Sequence, residues 1–257
     1  MSAMDVNEHI EALDAEGARM AAAIGRAAAD TPVPTCPDWV LRDLVHHQGG
    51  VHRWATAYVA GAKREAADVD FAATVGPLPG DGDLVEWFGD GHGALVAALR
   101  AARPDLQCWT FLPAPSPLAM WSRRQAHETA IHRVDSELTA GLAPAAVTPA
   151  FGADGADEML MSFIPRRKGD PRAEPPLSLS IRCDDVAAAW RVVISAEGVH
   201  SETEDAAAAA DADCVLRGAA CDVYYALWNR LPTDRVSVEG QPAALDLLLN
   251  RSVVRWG

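Results

Sequence analysis

The chain has 257 residues, of which 49% are hydrophobic and 23% are charged, and its formal net charge is −14 at pH 7. This composition is ordinary for a soluble globular protein of one large or two medium domains. The acidic excess argues against nucleic acid or an anionic membrane as a partner, because phosphate contacts need clustered lysines and arginines.

The cysteines and the amino terminus indicate the compartment. The five cysteines are scattered, are odd in number and include no C-x-x-C pair, so they do not predict a disulfide framework or a structural zinc site. The first ten residues are polar and acidic and lack the features of a secretory signal. No run approaches the ~18 consecutive apolar residues of a membrane span. We therefore expect a cytoplasmic protein without a membrane partner.

Hydrophobic periodicity predicts four helices in the first half of the chain. The expected ranges are residues 7–29, 39–60, 84–102 and 119–138. Prolines within residues 31–37 end the first helix, and Asp38 is placed to cap the second. Helices of this length with apolar stripes predict a four-helix bundle, in which metal ligands project inward from facing helices.

The second half has the mixed pattern of an α+β domain. After a linker at residues 141–149, strands are expected over 177–183, 189–195, 213–218 and 236–238, and helices over 152–163, 219–231 and 242–249. The first two strands predict a hairpin, and hence a mostly antiparallel sheet. The expected organisation is therefore a bundle over residues 1–145 followed by a small α+β domain over residues 150–257.

The most informative stretch is residues 125–133, with the sequence QAHETAIHR. Glu128 and His132 lie four apart in a predicted helix, so their side chains share one face. A catalytic zinc site takes three protein ligands and leaves one position open. His47, in the stretch DLVHHQGG of residues 43–50, completes such a set if the second and fourth helices pack together. The spacing of the pair by itself is also that of a surface salt bridge.

His127 does not belong to this set. The zincin motif H-E-x-x-H needs two histidines four apart, whereas His127 and His132 are five apart. Five residues correspond to about 140° around a helix, so the two rings cannot share one metal ion. We expect His127 to face elsewhere and to form hydrogen bonds.

Five stretches together resemble one known family. They are residues 33–39 (VPTCPDW), 43–50 (DLVHHQGG), 127–135 (HETAIHRVD), 212–218 (ADCVLRG) and 227–231 (LWNRL). In this order they resemble the mycothiol-dependent maleylpyruvate isomerase family, and the resemblance covers nearly the whole chain. It implies a DinB-like metal-binding four-helix bundle followed by a sterol-carrier-like α+β domain.

The arginine-rich, lysine-poor and alanine-rich composition is typical of a GC-rich genome, such as an actinobacterial one.

The resemblance implies a set of site residues. His47, Glu128 and His132 match the family's metal ligands, and His46 is the alternative upstream ligand. Arg230 matches an arginine thought to reach over the active site, so it is a candidate catalytic and cofactor-binding residue. Its alternative role is that of a helix C-terminal charge that meets the helix dipole. Asp135, three residues after His132, either accepts a hydrogen bond from a ligand histidine or is a solvated carboxylate.

The cofactors that the resemblance implies are Zn²⁺, or another divalent metal such as Ni²⁺, and mycothiol. A thiol that enters the open position of such a metal loses its proton and becomes a nucleophile. In the family, the thiolate adds to the cis double bond of maleylpyruvate, the resulting single bond rotates, and elimination returns the trans isomer. With another electrophile the same site would act as a mycothiol S-transferase.

Two other classes of function stay open at this point. One is a non-catalytic small-molecule-binding or regulatory protein that keeps the fold, and the other is a hydrolase that uses zinc-bound water. The expected partners are a small-molecule electrophile and the thiol cofactor, with the chain either a monomer or a homodimer.

Overall fold

The computed structural model of the protein describes residues 4–166, 171–208 and 211–251. The backbone divides into two compact units, one formed by Asp5–Ala145 and the other mainly by the chain from Ala146 onward. The first unit is helical, and the second combines helices with a five-stranded sheet. The chain is an α+β protein, as its sequence predicts. Among the described residues, no helix is both long and apolar enough to span a membrane.

Four long helices and one short helix build the first unit. They are α1 (Val6–Ile24), α2 (Leu41–Gly61), α3 (Phe71–Val75), α4 (Leu84–Ala101) and α5 (Pro117–Thr139). Helices α1 and α2 each pack against both α4 and α5, so the four long helices form a bundle. Each predicted helix is present. Helix α1 ends at Ile24, five residues before the end that its pattern predicts, and α3 was not predicted.

Local side-chain contacts explain where the helices begin. Asp5 accepts a hydrogen bond from the backbone N–H of Glu8 at 2.9 Å, and Glu8 accepts one from the backbone N–H of Asp5 at 2.7 Å, which forms a capping box for α1. The prediction that Asp38 caps α2 is wrong. Residues 34–38 form turns, and the helix starts only after Val40, whose backbone is extended and whose N–H donates to the Asp43 carboxylate at 3.0 Å.

Helix α5 is buried on nearly all sides although many of its residues are polar. Buried charges need partners, and Arg133 shows how this helix supplies them. Its fully buried guanidinium donates to Glu16 of α1 at 2.7 Å and to Glu137 at 2.6 Å. The pair with Glu16 joins α5 to α1, while the pair with Glu137 lies within α5, so the helix that carries two of the predicted ligands is held against α1.

The second unit holds the sheet, with strands in the order β3-β2-β1-β4-β5. The strands are β1 (Leu177–Cys183), β2 (Ala189–Ile194), β3 (Val199–Thr203), β4 (Cys214–Gly218) and β5 (Ser237–Gly240). Three of the four pairings are antiparallel, and β1 runs parallel to β4. The sheet is therefore mostly antiparallel, as predicted, although β3 was missed because Ser201 is its one buried residue.

Within the described part of the second unit, three α-helices accompany the sheet. They are α6 (Pro149–Asp157), which continues as a π-helical turn over Glu158–Phe163, α7 (Ala220–Leu227) and α8 (Pro242–Arg251). The Trp190 side chain of β2 is buried and donates from Nε1 to the Asp157 carboxylate at 2.9 Å, and the Trp228 indole donates to the carbonyl of Gly155 at 3.1 Å. These bonds tie α6 to the sheet and to the end of α7.

Candidate metal centre

Three side chains with metal-binding atoms converge between α2 and α5. His47 Nε2 lies 3.6 Å from Glu128 Oε1, and one ligand atom each from His47, Glu128 and His132 lie within 4.8 Å of one another. Glu128 and His132 share one face of α5 because they are four residues apart. His47 reaches that face because α2 packs against α5. The structure thus brings together the three residues that the sequence predicts, and their binding of a metal stays a prediction.

His46 lies outside this group. Its ring contacts the Trp87 ring of α4, with the centroids 6.0 Å apart, and burial lowers its pKa. Neighbouring residues on a helix point about 100° apart, so one of the two adjacent histidines faces α5 and the other faces α4. The geometry therefore favours His47 over His46 as the upstream ligand.

Asp135 contacts one of the converging histidines directly. Its Oδ2 atom lies 2.8 Å from Nδ1 of His132, and its side chain is fully buried. The alternative that Asp135 is a solvated carboxylate is therefore wrong. An ionised Asp135 can only accept a hydrogen bond, and with that partner the proton of a neutral His132 lies on Nδ1 and the lone pair on Nε2.

The loop between α1 and α2 lies against the same histidine. The Thr35 hydroxyl donates to Asp135 Oδ1 at 2.5 Å, and Cys36 Sγ lies 3.9 Å from Oδ2. The Trp39 ring stacks on His132 with centroids 6.2 Å apart and lies 5.0 Å from the His47 ring. The prolines of residues 31–37 predicted only the end of the first helix, and Trp39 was expected to begin the second, so the contacts of these three residues with the site were not predicted. The VPTCPDW stretch of residues 33–39, which carries part of the family resemblance, was the signal that could have found them.

The charge of Glu128 is set by its neighbours. Its side chain is buried, which by itself raises the pKa of the carboxyl group. The adjacent His47 ring and the Arg124 guanidinium, whose Nε lies 3.6 Å from Glu128 Oε2, outweigh this effect and lower the pKa below its usual value. Glu128 is therefore an anion at neutral pH, which is the form that binds a metal.

A second polar layer lies beside the three donors. His52 Nε2 lies 2.8 Å from Thr129 Oγ1, and the Gln48 amide nitrogen lies 3.0 Å from the same hydroxyl oxygen. Burial, and then the neighbouring His92, hold the pKa of His52 well below its usual value. This ring is neutral, so it adds hydrogen bonds between α2 and α5 without adding positive charge near the donors.

The remaining predicted residues lie outside the three-donor group. His127 is fully buried, with its ring 6.0 Å from that of His9, and its predicted hydrogen-bonding role stays a prediction. Arg230 follows α7 in the second unit, where its side chain is buried and donates to the carbonyl of Trp228 at 3.0 Å. That bond agrees with a role at the end of the helix. Its catalytic and cofactor-binding roles stay predictions.

Comparisons with known proteins find two matching family domains and two similar solved structures. Residues 10–137 match the mycothiol maleylpyruvate isomerase N-terminal domain, and residues 150–247 match the MDMPI C-terminal domain. The crystal structure of the mycothiol-dependent maleylpyruvate isomerase superposes with a TM-score of 0.61 at 13% identity, covering 93% of this chain and 96% of that one.

A structure of a single-substitution variant of that isomerase gives a TM-score of 0.62 at 12% identity, with the same coverage of 93% and 96%. At such identities the superpositions show a shared fold. No curated protein sequence matches the chain. The two family matches together span the helical unit and most of the α+β unit, in the same order as in the family. The chain therefore belongs to the mycothiol-dependent maleylpyruvate isomerase family.

Proposed function

We propose that the protein is a metal-dependent enzyme that uses mycothiol, a low-molecular-weight thiol, against an electrophilic small molecule. Its reaction is either the cis–trans isomerisation of maleylpyruvate or the transfer of the thiol to another electrophile. The observation that carries the proposal is the convergence of His47, Glu128 and His132, whose ligand atoms lie within 4.8 Å of one another. Membership of the family supports the choice of thiol and substrate class.

The three donors fit a divalent metal such as Zn²⁺ or Ni²⁺. A tetrahedral ion with ligands about 2.0–2.2 Å away separates its donor atoms by about 3–4 Å. The 3.6 Å between His47 and Glu128 already has this size. Imidazole nitrogen and carboxylate oxygen are both common zinc ligands, and three protein ligands are the number found in catalytic sites.

When bound, the metal would lower the pKa of a thiol from about 8.5 and so supply a thiolate near neutral pH. The chain's own residues prepare the site for this chemistry. Glu128 is ionised and contributes one negative charge, whereas a histidine that binds a metal does so as a neutral imidazole and would contribute none. Trp39 packs on both imidazole rings and so limits their rotation.

Arg230 is proposed, on the resemblance alone, to pair with a carboxylate of the electrophile or with a charged part of the thiol. A bidentate arginine–carboxylate pair would orient such a substrate. A cytoplasmic location, an actinobacterial source, and a monomeric or homodimeric state belong to the same proposal and rest on sequence features alone.

Metal content tests the site. We expect about one equivalent of divalent metal in the purified protein, measured by inductively coupled plasma mass spectrometry. The Glu128→Ala/His132→Ala double variant should lose this metal. His47→Ala should also lose the metal, whereas the adjacent His46→Ala should keep it. Full retention of metal by the double variant would refute the proposed ligands.

Turnover tests the reaction. We expect the metal-loaded protein to convert maleylpyruvate, or a member of a panel of electrophiles, only when mycothiol is added. Turnover without any thiol would instead support a hydrolase, and stoichiometric metal binding without turnover would support a non-catalytic binding protein.

A further inference from the structure

A hydrogen-bonded chain connects the α1–α2 loop to one of the proposed ligands. It runs from the Thr35 hydroxyl to Asp135 Oδ1 at 2.5 Å and from Asp135 Oδ2 to His132 Nδ1 at 2.8 Å. Asp135 and His132 are both fully buried. We call it the Thr35–Asp135–His132 chain. It joins residues 100 positions apart in the sequence, so it exists only in the folded bundle.

The loop that supplies Thr35 is held by its own backbone. The N–H of Val33 donates to the carbonyl of Trp39 at 2.9 Å, and the N–H of Cys36 donates to the carbonyl of Val33 at 3.1 Å. Pro32 and Val40 pair as an isolated β-bridge, and the Val33 side chain is buried. Thr35 is therefore presented to Asp135 by a fixed backbone and not by a freely moving segment.

The chemistry of the chain determines which nitrogen of His132 faces the other donors. A neutral imidazole has one N–H and one lone pair. The carboxylate of Asp135 accepts the Nδ1 proton, so the lone pair lies on Nε2. Thr35 satisfies the second carboxylate oxygen, which keeps the Asp135 side chain from turning away from the ring. In metal sites, a carboxylate that accepts the second ring N–H of a ligand histidine orients the ring and raises its basicity.

We propose that Asp135 and Thr35 are positioning residues for the metal centre, and that the affinity of the site for a divalent metal depends on both. The inference rests on the proposed metal site of His47, Glu128 and His132, and it adds two residues that hold no metal themselves. It gives the α1–α2 loop a role in metal affinity, in addition to joining two helices.

Zinc titration against a competing chromophoric chelator tests the proposal. We expect Asp135→Asn to raise the zinc dissociation constant by about 10–100-fold, the range found when such carboxylates are removed. Thr35→Val should raise the zinc dissociation constant by a smaller factor. Thr35→Ser, which keeps the hydroxyl group, should bind zinc with the wild-type affinity. The matched controls are Asp157→Asn, which alters a carboxylate that accepts from Trp190 at 2.9 Å, and Thr56→Val, which removes a hydroxyl that donates to the His52 carbonyl. Both controls should keep the wild-type affinity.

A second measurement separates positioning from a general loss of structure. Ring-nitrogen shifts of ¹⁵N-labelled histidine report which nitrogen of His132 is protonated in the metal-free protein. We expect the Nδ1–H form in the wild type and a shift away from it in Asp135→Asn, with Asp157→Asn unchanged.

The outcomes distinguish this inference from the proposed function. Wild-type zinc binding together with unchanged affinity in Asp135→Asn and Thr35→Val would overturn the positioning role and leave the proposed function intact. If Asp135→Asn does not fold, equal affinities of Thr35→Val and Thr35→Ser would overturn it. A wild-type protein that binds no zinc would overturn both proposals.

Discussion

Replacing Arg133 with methionine tests whether buried ion pairs stabilise the helical unit. Arg133 is fully buried and donates to Glu16 at 2.7 Å, to Glu137 at 2.6 Å and to the carbonyl of Ala145 at 2.9 Å. Methionine keeps much of the side-chain volume but removes the charge. Removing one partner of a buried pair costs about 3–5 kcal/mol of the free energy of unfolding. Glu16 keeps a second partner in Arg19, so we expect a loss of about 3 kcal/mol, at the lower end of this range.

Urea unfolding of the full chain, followed by far-ultraviolet circular dichroism, measures this loss. Arg100→Met is the matched control, because Arg100 pairs with Asp14 while their side chains are 54% and 48% exposed. Exposed pairs contribute about 0–1 kcal/mol. Adding Glu137→Gln to Arg133→Met should recover part of the loss, since it removes one uncompensated carboxylate. A loss for Arg133→Met no larger than that of the control would refute the reasoning.

Two further predictions concern pH and packing. Because unfolded His52 takes up a proton near pH ~6.5 while burial keeps the folded ring neutral, the free energy of unfolding should fall as the pH drops below that value. This one group can contribute at most about 1.4 kcal/mol per pH unit to the dependence of the free energy of unfolding on pH. His52→Gln should therefore reduce that dependence, as measured by urea unfolding at several pH values. An unchanged dependence in the variant would contradict the prediction. Gly49→Ala should destabilise the protein by about 1–3 kcal/mol, because the added methyl would overlap the Trp87 ring, whereas Gly93→Ala, which meets open space in α4, should stabilise it by up to about 1 kcal/mol. Thermal unfolding compares the two alanine variants, and equal shifts would contradict the described packing.

Helices and strands with regular patterns were predictable from the sequence. The apolar periodicity of α2, α4 and α5 and the alternation in β1 and β2 are local signals, and each of these elements was found within two residues of its expected bounds. Helix α3 and strand β3 were not predicted, because a five-residue helix and a strand with one buried residue carry little periodicity. Asp38 was misplaced as a cap since the β-bridge between Pro32 and Val40 keeps the chain extended beyond it.

The candidate site was predictable in part for the same reason. Helical spacing placed Glu128 and His132 on one face, and the bundle hypothesis brought His47 to them. The contacts of Thr35 and Trp39 with the site depend on how a proline-rich loop folds back, and no local pattern encodes that path. Asp135 is three residues after His132, so the two side chains were expected to lie on one face of the helix. This spacing alone could not distinguish a buried hydrogen-bond acceptor from a solvated carboxylate.

The polar surface of α5 also restricts how this helix can slide along its neighbours. It bonds to α1 through Arg133, to α2 through Thr129 and to the α1–α2 loop through Asp135. A displacement of one helical turn, about 5.4 Å, would break all three contacts at once and strand several charges in the interior. An apolar helix tolerates small shifts in register because one methyl group replaces another, whereas this one forms these three polar contacts in a single alignment. Insertion of one residue within residues 121–135 should therefore be far more damaging than insertion into residues 113–115, the exposed Pro-Ala-Pro segment that precedes α5.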